Sequence, residues 1–168
     1  EGGVRLPLIA RWPGHVPAGR VDHESVPSAV DFLPTLCRLA GAEVSDEYRG
    51  DGEDVSDVWL GTARPRSRPL FWEWRFPVAA ATIHHCPMLS IGAGRWKLLM
   101  NPDASRVELY DIPRDPTELD NLAAAQPDVV ERLSTRLLGW QSTLPEGPVE
   151  PAAGRNSYPW PKAERAPR

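Results

Sequence analysis

The chain has 168 residues, 41% hydrophobic and 25% charged, a composition typical of a folded globular protein with room for one sizeable core. The net charge of -4 argues against non-specific binding of nucleic acid, and no apolar run approaches the roughly 18 residues that span a membrane. The two cysteines are too few for a disulfide framework, and neither has the spacing of a metal-binding pair.

The first apolar run, Leu6 to Trp12, is bounded by glycine and by Pro-Gly, a pattern typical of a strand buried on both faces. This strand and the helix that follows it cannot bury each other completely. Residues 1–65 are therefore predicted to be the edge of a larger domain. In the absence of that domain's remainder, the run would be exposed, and we expect the chain to self-associate through it.

A helix is predicted over Phe32 to Ala40, because apolar residues recur there at helical spacing. Asp31 is the expected N-cap and Gly41 the expected stop. Pro34 then falls in the first turn, where a backbone N–H has no helical partner to lose. A second, shorter helical segment is predicted around Val55 to Leu60.

Four strands joined mostly by short turns are predicted after residue 65, forming an antiparallel sheet. Their ranges are Leu70–Phe76, Pro87–Ile91, Arg95–Met100 and Arg106–Ile112, with a hairpin turn at Gly92–Gly94. Alternation places three aromatic residues of the first strand on one face, and Trp96, Leu98 and Met100 on one side of the third. The aromatic residues of the first strand are Trp72, Trp74 and Phe76.

A helix beginning at Pro127 is predicted to cover this aromatic face. Its apolar stripe comprises Val130, Leu133, Leu137 and Trp140. Tryptophans at positions 72, 74 and 96 could instead stack on a sugar, but packing in the core is the commoner use of such residues. Residues 146–168 form a proline-rich tail.

The sequence contains no nucleophile elbow, no P-loop and no zinc-binding helix motif. The acidic cluster in "DIPRDPTELDN" could bind calcium through oxygen ligands. The spacing of an EF-hand is absent, however, and turns in which Asp side chains accept backbone hydrogen bonds explain these residues without a metal. We favour the second interpretation. The cluster consists of Asp111, Asp115, Glu118 and Asp120.

Short motifs follow one another in a characteristic order along residues 1–145. The first group is Glu1-Gly2-Gly3, Arg5, Pro7, Trp12-Pro13-Gly14, Asp31, Leu33-Pro34-Thr35-Leu36, Leu39-Ala40-Gly41 and Asp51-Gly52. The second is Trp96-Lys97-Leu98, Glu108-Leu109-Tyr110-Asp111, Asp115-Pro116, Glu118 and Asn121-Leu122-Ala123. Together they resemble the C-terminal portion of the sulfatases, within the alkaline-phosphatase-like superfamily, and most of all the arylsulfatase and N-acetylgalactosamine-6-sulfatase branch.

The resemblance implies hydrolysis of sulfate esters by a formylglycine made in a C/S-x-P-x-R motif, with calcium polarising the sulfate. Neither Cys37 nor Cys86 lies in such a motif. In the family, the last catalytic lysine lies a few residues before the Glu-Gly-Gly segment. We therefore expect the nucleophile and the metal ligands in a missing N-terminal portion, and no catalytic or metal-binding residue and no sulfatase activity in this chain alone.

The resemblance also places His84, His85 and Arg75 where the C-terminal module faces the substrate opening, which makes them candidate substrate-binding residues. Judged from the residues alone, neighbouring histidines on a strand point to opposite faces, so at most one could serve a given site. A surface loop with one hydrogen-bonded histidine is the more common arrangement. Many relatives carry an arginine in the turn before Trp-Lys-Leu, and this chain has Gly92 in its place.

The sequence thus predicts an α/β, alkaline-phosphatase-like fragment. Residues 1–65 are the edge of a large domain, residues 66–145 a small domain of four antiparallel strands and one helix, and residues 146–168 a tail. The expected substrate is a sulfated sugar or an aryl sulfate. Two alternatives remain: a non-catalytic module that binds a glycan or is structural, and a phosphate or phosphonate ester hydrolase of the same superfamily.

Overall fold

The computed structural model describes residues 3–75, 86–149 and 153–154. The chain divides into two compact units, Gly3–Leu70 and a second that begins at Phe71. The elements are α1 (Phe32–Ala40), α2 (Ser56–Trp59), β1 (Leu70–Glu73), β2 (Leu89–Ala93), β3 (Trp96–Met100), β4 (Glu108–Asp111) and α3 (Pro127–Gln141), with one 3-10 turn (Ala29–Asp31). Among the described residues, the helices are too short or too polar to cross a bilayer.

The run from Leu6 to Trp12 does not form a strand, so that prediction was wrong. A strand needs a neighbouring strand whose backbone can pair with its N–H and C=O groups. The described strands, from β1 onward, pair with one another in the sheet of the second unit, and residues 6–12 are not part of that sheet. The expected exposure is confirmed, since Leu6 is 81% and Ile9 90% exposed. Residues 6–12 therefore have an apolar sequence but no strand pairing that would bury it.

Helix α1 has the predicted bounds, and its ends show why. Before it, the backbone N–H of Ser28 donates to the Asp31 carboxylate at 2.7 Å. After it, Gly41 has a φ of 69°, a left-handed conformation that glycine adopts without strain. Two apolar side chains of the helix, Leu33 and Leu36, are each 51% exposed. Most of the apolar face of α1 thus has no partner in the first unit.

A buried ion pair connects α1 to the segment before the sheet. The Asp31 carboxylate is fully buried and accepts two hydrogen bonds from the Arg66 guanidinium, one of them at 2.8 Å. The backbone N–H of Glu53 donates to the same carboxylate at 2.9 Å. This bidentate ion pair, together with the backbone donors, stabilises a carboxylate charge that would be costly to bury alone.

The Glu53 side chain organises the same region. Its carboxylate accepts hydrogen bonds from Arg64 at 3.1 Å and from the backbone N–H of Arg68 at 3.0 Å. The preceding residue, Gly52, lies so close to the 3-10 turn that a Cβ there would be 2.0 Å from the Val30 carbonyl oxygen. The Asp-Gly motif therefore has a local cause, because only glycine allows this approach.

The second unit is built on a four-stranded sheet in the order β1-β2-β3-β4. Strands β2 and β3 pair antiparallel, as do β3 and β4. Strand β2 extends two residues beyond its predicted end, and the hairpin turns at Gly94, whose φ is 60°. Leu98 lies opposite Ile91 on one side and Leu109 on the other, and all three are fully buried.

Helix α3 covers this core, as predicted, with Leu133 and Leu137 buried. The covered face is not the predicted one, however. Phe71 of β1 stacks on Trp140 at 4.9 Å, whereas its neighbour Trp72 contacts Gly92 on the opposite face of the sheet. Trp96 packs against the helix-covered core, and Phe76 lies outside the described residues. Alternation correctly separated the two faces of β1, but α3 covers the face with Phe71 rather than the face with Trp72.

Candidate functional site

Of the three substrate-binding candidates, Arg75 is described, and His84 and His85 lie outside the described residues. The Arg75 Nε donates to a Glu73 carboxylate oxygen at 2.6 Å, and its Nη2 donates to the Pro145 carbonyl at 3.2 Å. The other Glu73 oxygen accepts from the Gln141 side chain at 3.3 Å. The Glu73–Arg75 pair thus links β1 to α3 through Gln141 and to the segment that follows α3 through Pro145.

This arrangement limits what Arg75 can do. Its charge is balanced by Glu73, and the two side chains are only 21% and 11% exposed. A substrate sulfate would have to compete with that carboxylate for the guanidinium, unless it used N–H groups pointing away from it. The role of Arg75 in binding substrate therefore stays a prediction.

A network of charged side chains occupies the sheet face opposite α3. The Lys97 Nζ lies 2.6 Å from a Glu118 carboxylate oxygen, although Lys97 is only 6% exposed. On the neighbouring strand, Tyr110 donates its hydroxyl to Glu108 at 3.1 Å, and Arg106 donates to the same carboxylate at 3.3 Å. Buried charges on a sheet face are stable only when paired in this way.

Burial and pairing act on these groups in opposite directions. Burial raises the pKa of Glu108, and the nearby Arg106 charge offsets only part of that effect. Burial would also raise the pKa of Glu118, but the hydrogen bond and charge of Lys97 outweigh it and lower the pKa. Burial, followed by the Glu108 carboxylate, raises the pKa of the Tyr110 phenol. The phenol therefore stays protonated and serves as a hydrogen-bond donor.

Within the acidic cluster, Asp115 forms a turn of the kind that the sequence analysis favoured. One Asp115 oxygen accepts from the backbone N–H groups of Leu119 and Asp120, at 2.8 and 2.9 Å. These bonds lower the pKa of Asp115 against the opposing effect of burial. Asp111 is instead paired with the Arg95 guanidinium at 2.8 Å. Within the described residues, no group of three or more His, Cys, Asp or Glu side chains is placed to hold a metal ion.

The resemblance implies a calcium ion and a formylglycine. In the described part of the chain, no cluster of side chains is placed to hold such an ion. Both cysteines are free. Burial raises the pKa of Cys86, which disfavours the reactive thiolate.

The fold and these motifs agree with a known family. A family model described as N-sulphoglucosamine sulphohydrolase, C-terminal, matches residues 1–143. The chain belongs to this sulfatase family. The match confirms the resemblance drawn from the ordered motifs.

Two curated relatives show how the match is distributed. Human arylsulfatase A is 32% identical over 179 residues, covering 93% of this chain and 35% of the human protein. Pig N-acetylgalactosamine-6-sulfatase is 41% identical over 83 residues, covering 49% of this chain and 16% of the pig protein. The chain therefore spans only about a third of the human relative's length.

Solved structures confirm the fold. A protein whose structure contains its substrate, D-glucosamine-2-N,6-O-disulfate, superimposes with a TM-score of 0.59 and 26% sequence identity. The superposition covers 82% of this chain and 28% of that protein. The sheet with its C-terminal helix is the architecture expected for the C-terminal part of a sulfatase.

Sequence reasoning quoted Lys97 and Glu118 as motif residues but missed that they form a pair. One signal was available. Lys97 interrupts an apolar strand between Trp96 and Leu98, and a lysine at such a position needs a carboxylate partner. Nothing in the sequence indicated which of the acidic residues in the following turn would supply it.

Proposed function

We propose that the chain is the C-terminal portion of a sulfatase that hydrolyses a sulfate ester of a sulfated sugar. The observation that carries this proposal is the family match over residues 1–143, together with the similarity to arylsulfatase A and N-acetylgalactosamine-6-sulfatase. The structural neighbour with a disulfated glucosamine as its substrate supports a sugar rather than a simple aryl ester.

The catalytic groups belong, in this proposal, to a preceding portion of the same protein. That portion would supply the formylglycine nucleophile and the oxygen ligands of a calcium ion, which together stabilise charge on the transferred sulfate. The present chain would contribute no reacting group. Its part is to complete the fold and to shape the entrance to the site.

The first unit would dock on the catalytic portion through its exposed apolar stretches. These are the segment around Leu6 and Ile9 and the outer face of α1 with Leu33 and Leu36, all at least half exposed. Burying such side chains releases about 25 cal/mol for each Å² of apolar surface.

The second unit would border the substrate opening. His84, His85 and Arg75 are the proposed contacts to the anionic substrate, because an imidazolium or a guanidinium matches the charge of a sulfate. Arg75 would take part through N–H groups not directed at Glu73. Arg75→Lys is the informative variant, because it keeps the charge but removes the fork geometry.

The proposal is tested with the product of the complete coding sequence and two substrates that differ only in the ester, an aryl sulfate and the matching aryl phosphate. We expect release of inorganic sulfate at a kcat/KM at least about a hundredfold above that for the phosphate. Preference for the phosphate would assign the protein to phosphate ester hydrolysis instead. Failure on both substrates, with binding of a sulfated glycan retained, would assign it to a non-catalytic binding module.

A further inference from the structure

The chain after α3 is attached to the sheet of the second unit at two points. At the first point, the Pro145 carbonyl accepts a hydrogen bond from the Arg75 Nη2 at 3.2 Å. At the second, the buried Gly154 carbonyl accepts hydrogen bonds from the Asn101 Nδ2 at 3.0 Å and from the Arg106 Nη1 at 3.2 Å. Two of the three donors are guanidinium groups, and hydrogen bonds from charged donors are stronger than neutral ones.

Both points lie at the same end of the sheet. Arg75 lies just beyond the end of β1, and Asn101 directly follows β3. Met88, just before β2, connects them. Its backbone carbonyl accepts the backbone N–H of Trp74 at 2.7 Å, and its own N–H donates to the Asn101 Oδ1 at 3.1 Å. The two attachment points therefore support each other through the sheet.

The second attachment point is closely fitted. Gly154 has a φ of 69°, a left-handed conformation that favours glycine. A Cβ at this position would be 2.3 Å from the Asn101 Oδ1 and 2.8 Å from the Met88 Cγ. The preceding residue, Ala153, packs against the core of the second unit. A larger residue at position 154 would therefore detach this point from the sheet.

The first attachment point determines where the Arg75 guanidinium lies. Its Nε donates to Glu73 at 2.6 Å, and its Nη2 donates to the Pro145 carbonyl. The third nitrogen, Nη1, donates no hydrogen bond to the described residues. A Cβ at position 147 would be only 2.8 Å from Nη1, so Gly147 leaves the space that this nitrogen occupies.

We propose that Gly147 is a positioning residue that orients the Arg75 guanidinium for an anionic substrate. With Nε held by Glu73 and Nη2 by the Pro145 carbonyl, Nη1 is the nitrogen left to donate to a sulfate oxygen. A side chain at position 147 would displace it. The inference rests on the proposed function, which makes Arg75 a substrate contact, and extends it by naming the residue that sets the direction of that contact.

The first test measures release of inorganic sulfate from D-glucosamine-2-N,6-O-disulfate by the product of the complete coding sequence. Gly147→Ala should raise KM about five- to tenfold and leave kcat unchanged, because it weakens a binding contact and touches no reacting group. Gly139→Ala is the matched control, since a Cβ at that exposed position meets no neighbouring side chain within 4 Å. The control should change neither constant. An unchanged KM for Gly147→Ala would overturn the proposal.

The second test asks whether Gly147 acts through Arg75. Lysine has no Nη groups, so Gly147→Ala should have no further effect on KM when it is combined with Arg75→Lys. Gly154→Val, which detaches the second point, should likewise raise KM when residue 75 is arginine and not when it is lysine. Additive effects of the substitutions at positions 147 and 75 would overturn the proposal, because Gly147 would then act independently of Arg75.

The third test separates this inference from the proposed function. Gly147 is exposed, so Gly147→Ala should leave the urea midpoint of the complete product unchanged. A crystal structure of that variant should show the Arg75 guanidinium displaced from the position that it has in the parent protein. An unmoved guanidinium would overturn the proposal. Lack of any sulfate release by the parent protein would contradict the proposed function, whereas the two crystal structures decide the contact between Gly147 and Arg75 without reference to activity.

Discussion

At the scale of single residues, two buried carboxylates, one of them at a motif position, hold the first unit together. The Asp31 carboxylate accepts the Ser28 backbone N–H at the start of the 3-10 turn and binds Arg66. The Glu53 carboxylate accepts a hydrogen bond from Arg64 in the following loop. Gly52 is required because a side chain there would collide with the Val30 carbonyl. Motifs that identify the family are, at these positions, conditions for folding the first unit.

Asp31→Asn tests the buried ion pair. The substitution keeps the size of the side chain but leaves the Arg66 charge, in a side chain 8% exposed, without its partner. We expect the free energy of unfolding to fall by about 3–5 kcal/mol, measured by urea denaturation. Arg38→Gln is the control, because its ion pair with Asp54 spans 3.9 Å and Arg38 is 75% exposed, so that loss should stay below about 1 kcal/mol. Equal losses would contradict the assignment.

Glu53→Gln tests the pH dependence. Burial alone would raise the pKa of Glu53, but hydrogen bonds from Ser67, Arg64 and the backbone outweigh it and lower the pKa from its usual 4.5. A lowered folded-state pKa contributes stability that is complete above the usual value and is lost as pH falls through the folded-state value. The variant should therefore be less stable than the parent near neutral pH, by about 1–3 kcal/mol, and the difference should shrink as the pH falls below 4.5 and through the folded-state pKa. A difference independent of pH would contradict this account.

At the scale of secondary-structure elements, the sequence predicted what depends on local patterns. Helix α1 has the predicted bounds, α3 begins at the predicted Pro127, and all four strands occur. The run from Leu6 to Trp12 was predicted wrongly, because strand formation depends on a partner that its own sequence does not specify. The choice of the covered sheet face was wrong for a similar reason, since alternation separates two faces without saying which one α3 will cover.

Less of the candidate site than of the fold could be predicted from the sequence. The pairing of Lys97 with Glu118 joins a strand to a distant turn, and the contact of Trp72 with Gly92 joins two strands. Both depend on register, which composition and periodicity leave open. Arg75 was identified only through the resemblance, and its pairing with Glu73 became visible only in the structure.

Leu137→Ala tests how far α3 stabilises the sheet. Leu137 is fully buried against the core of the second unit, so its truncation should cost about 2–5 kcal/mol through lost apolar contact and a residual cavity. Leu119→Ala is the matched control, because Leu119 is 45% exposed. Its effect should be below about 1 kcal/mol. Equal effects, measured by thermal or urea unfolding, would contradict the role assigned to α3.

At the scale of the whole molecule, the chain has one unit with its own core and one with exposed apolar stretches. Single exposed apolar side chains are normal on a protein surface. Here several of them lie in the same unit, namely Leu6, Ile9, Leu33 and Leu36. We expect the purified chain to self-associate, and Ile9→Glu combined with Leu36→Glu to shift it toward monomer in light scattering. Val21→Glu, at a residue 73% exposed outside these stretches, should have no such effect. A monomeric parent chain at high concentration would contradict the docking role.

The central claim is that this chain completes a sulfatase without supplying its chemistry. The most direct measurement compares inorganic sulfate released from a sulfated glucosamine by the purified 168-residue chain and by the product of the complete coding sequence. The account predicts no turnover above background for the chain alone and measurable turnover for the complete product. Turnover by the chain alone, or its absence in a folded complete product, would contradict the account.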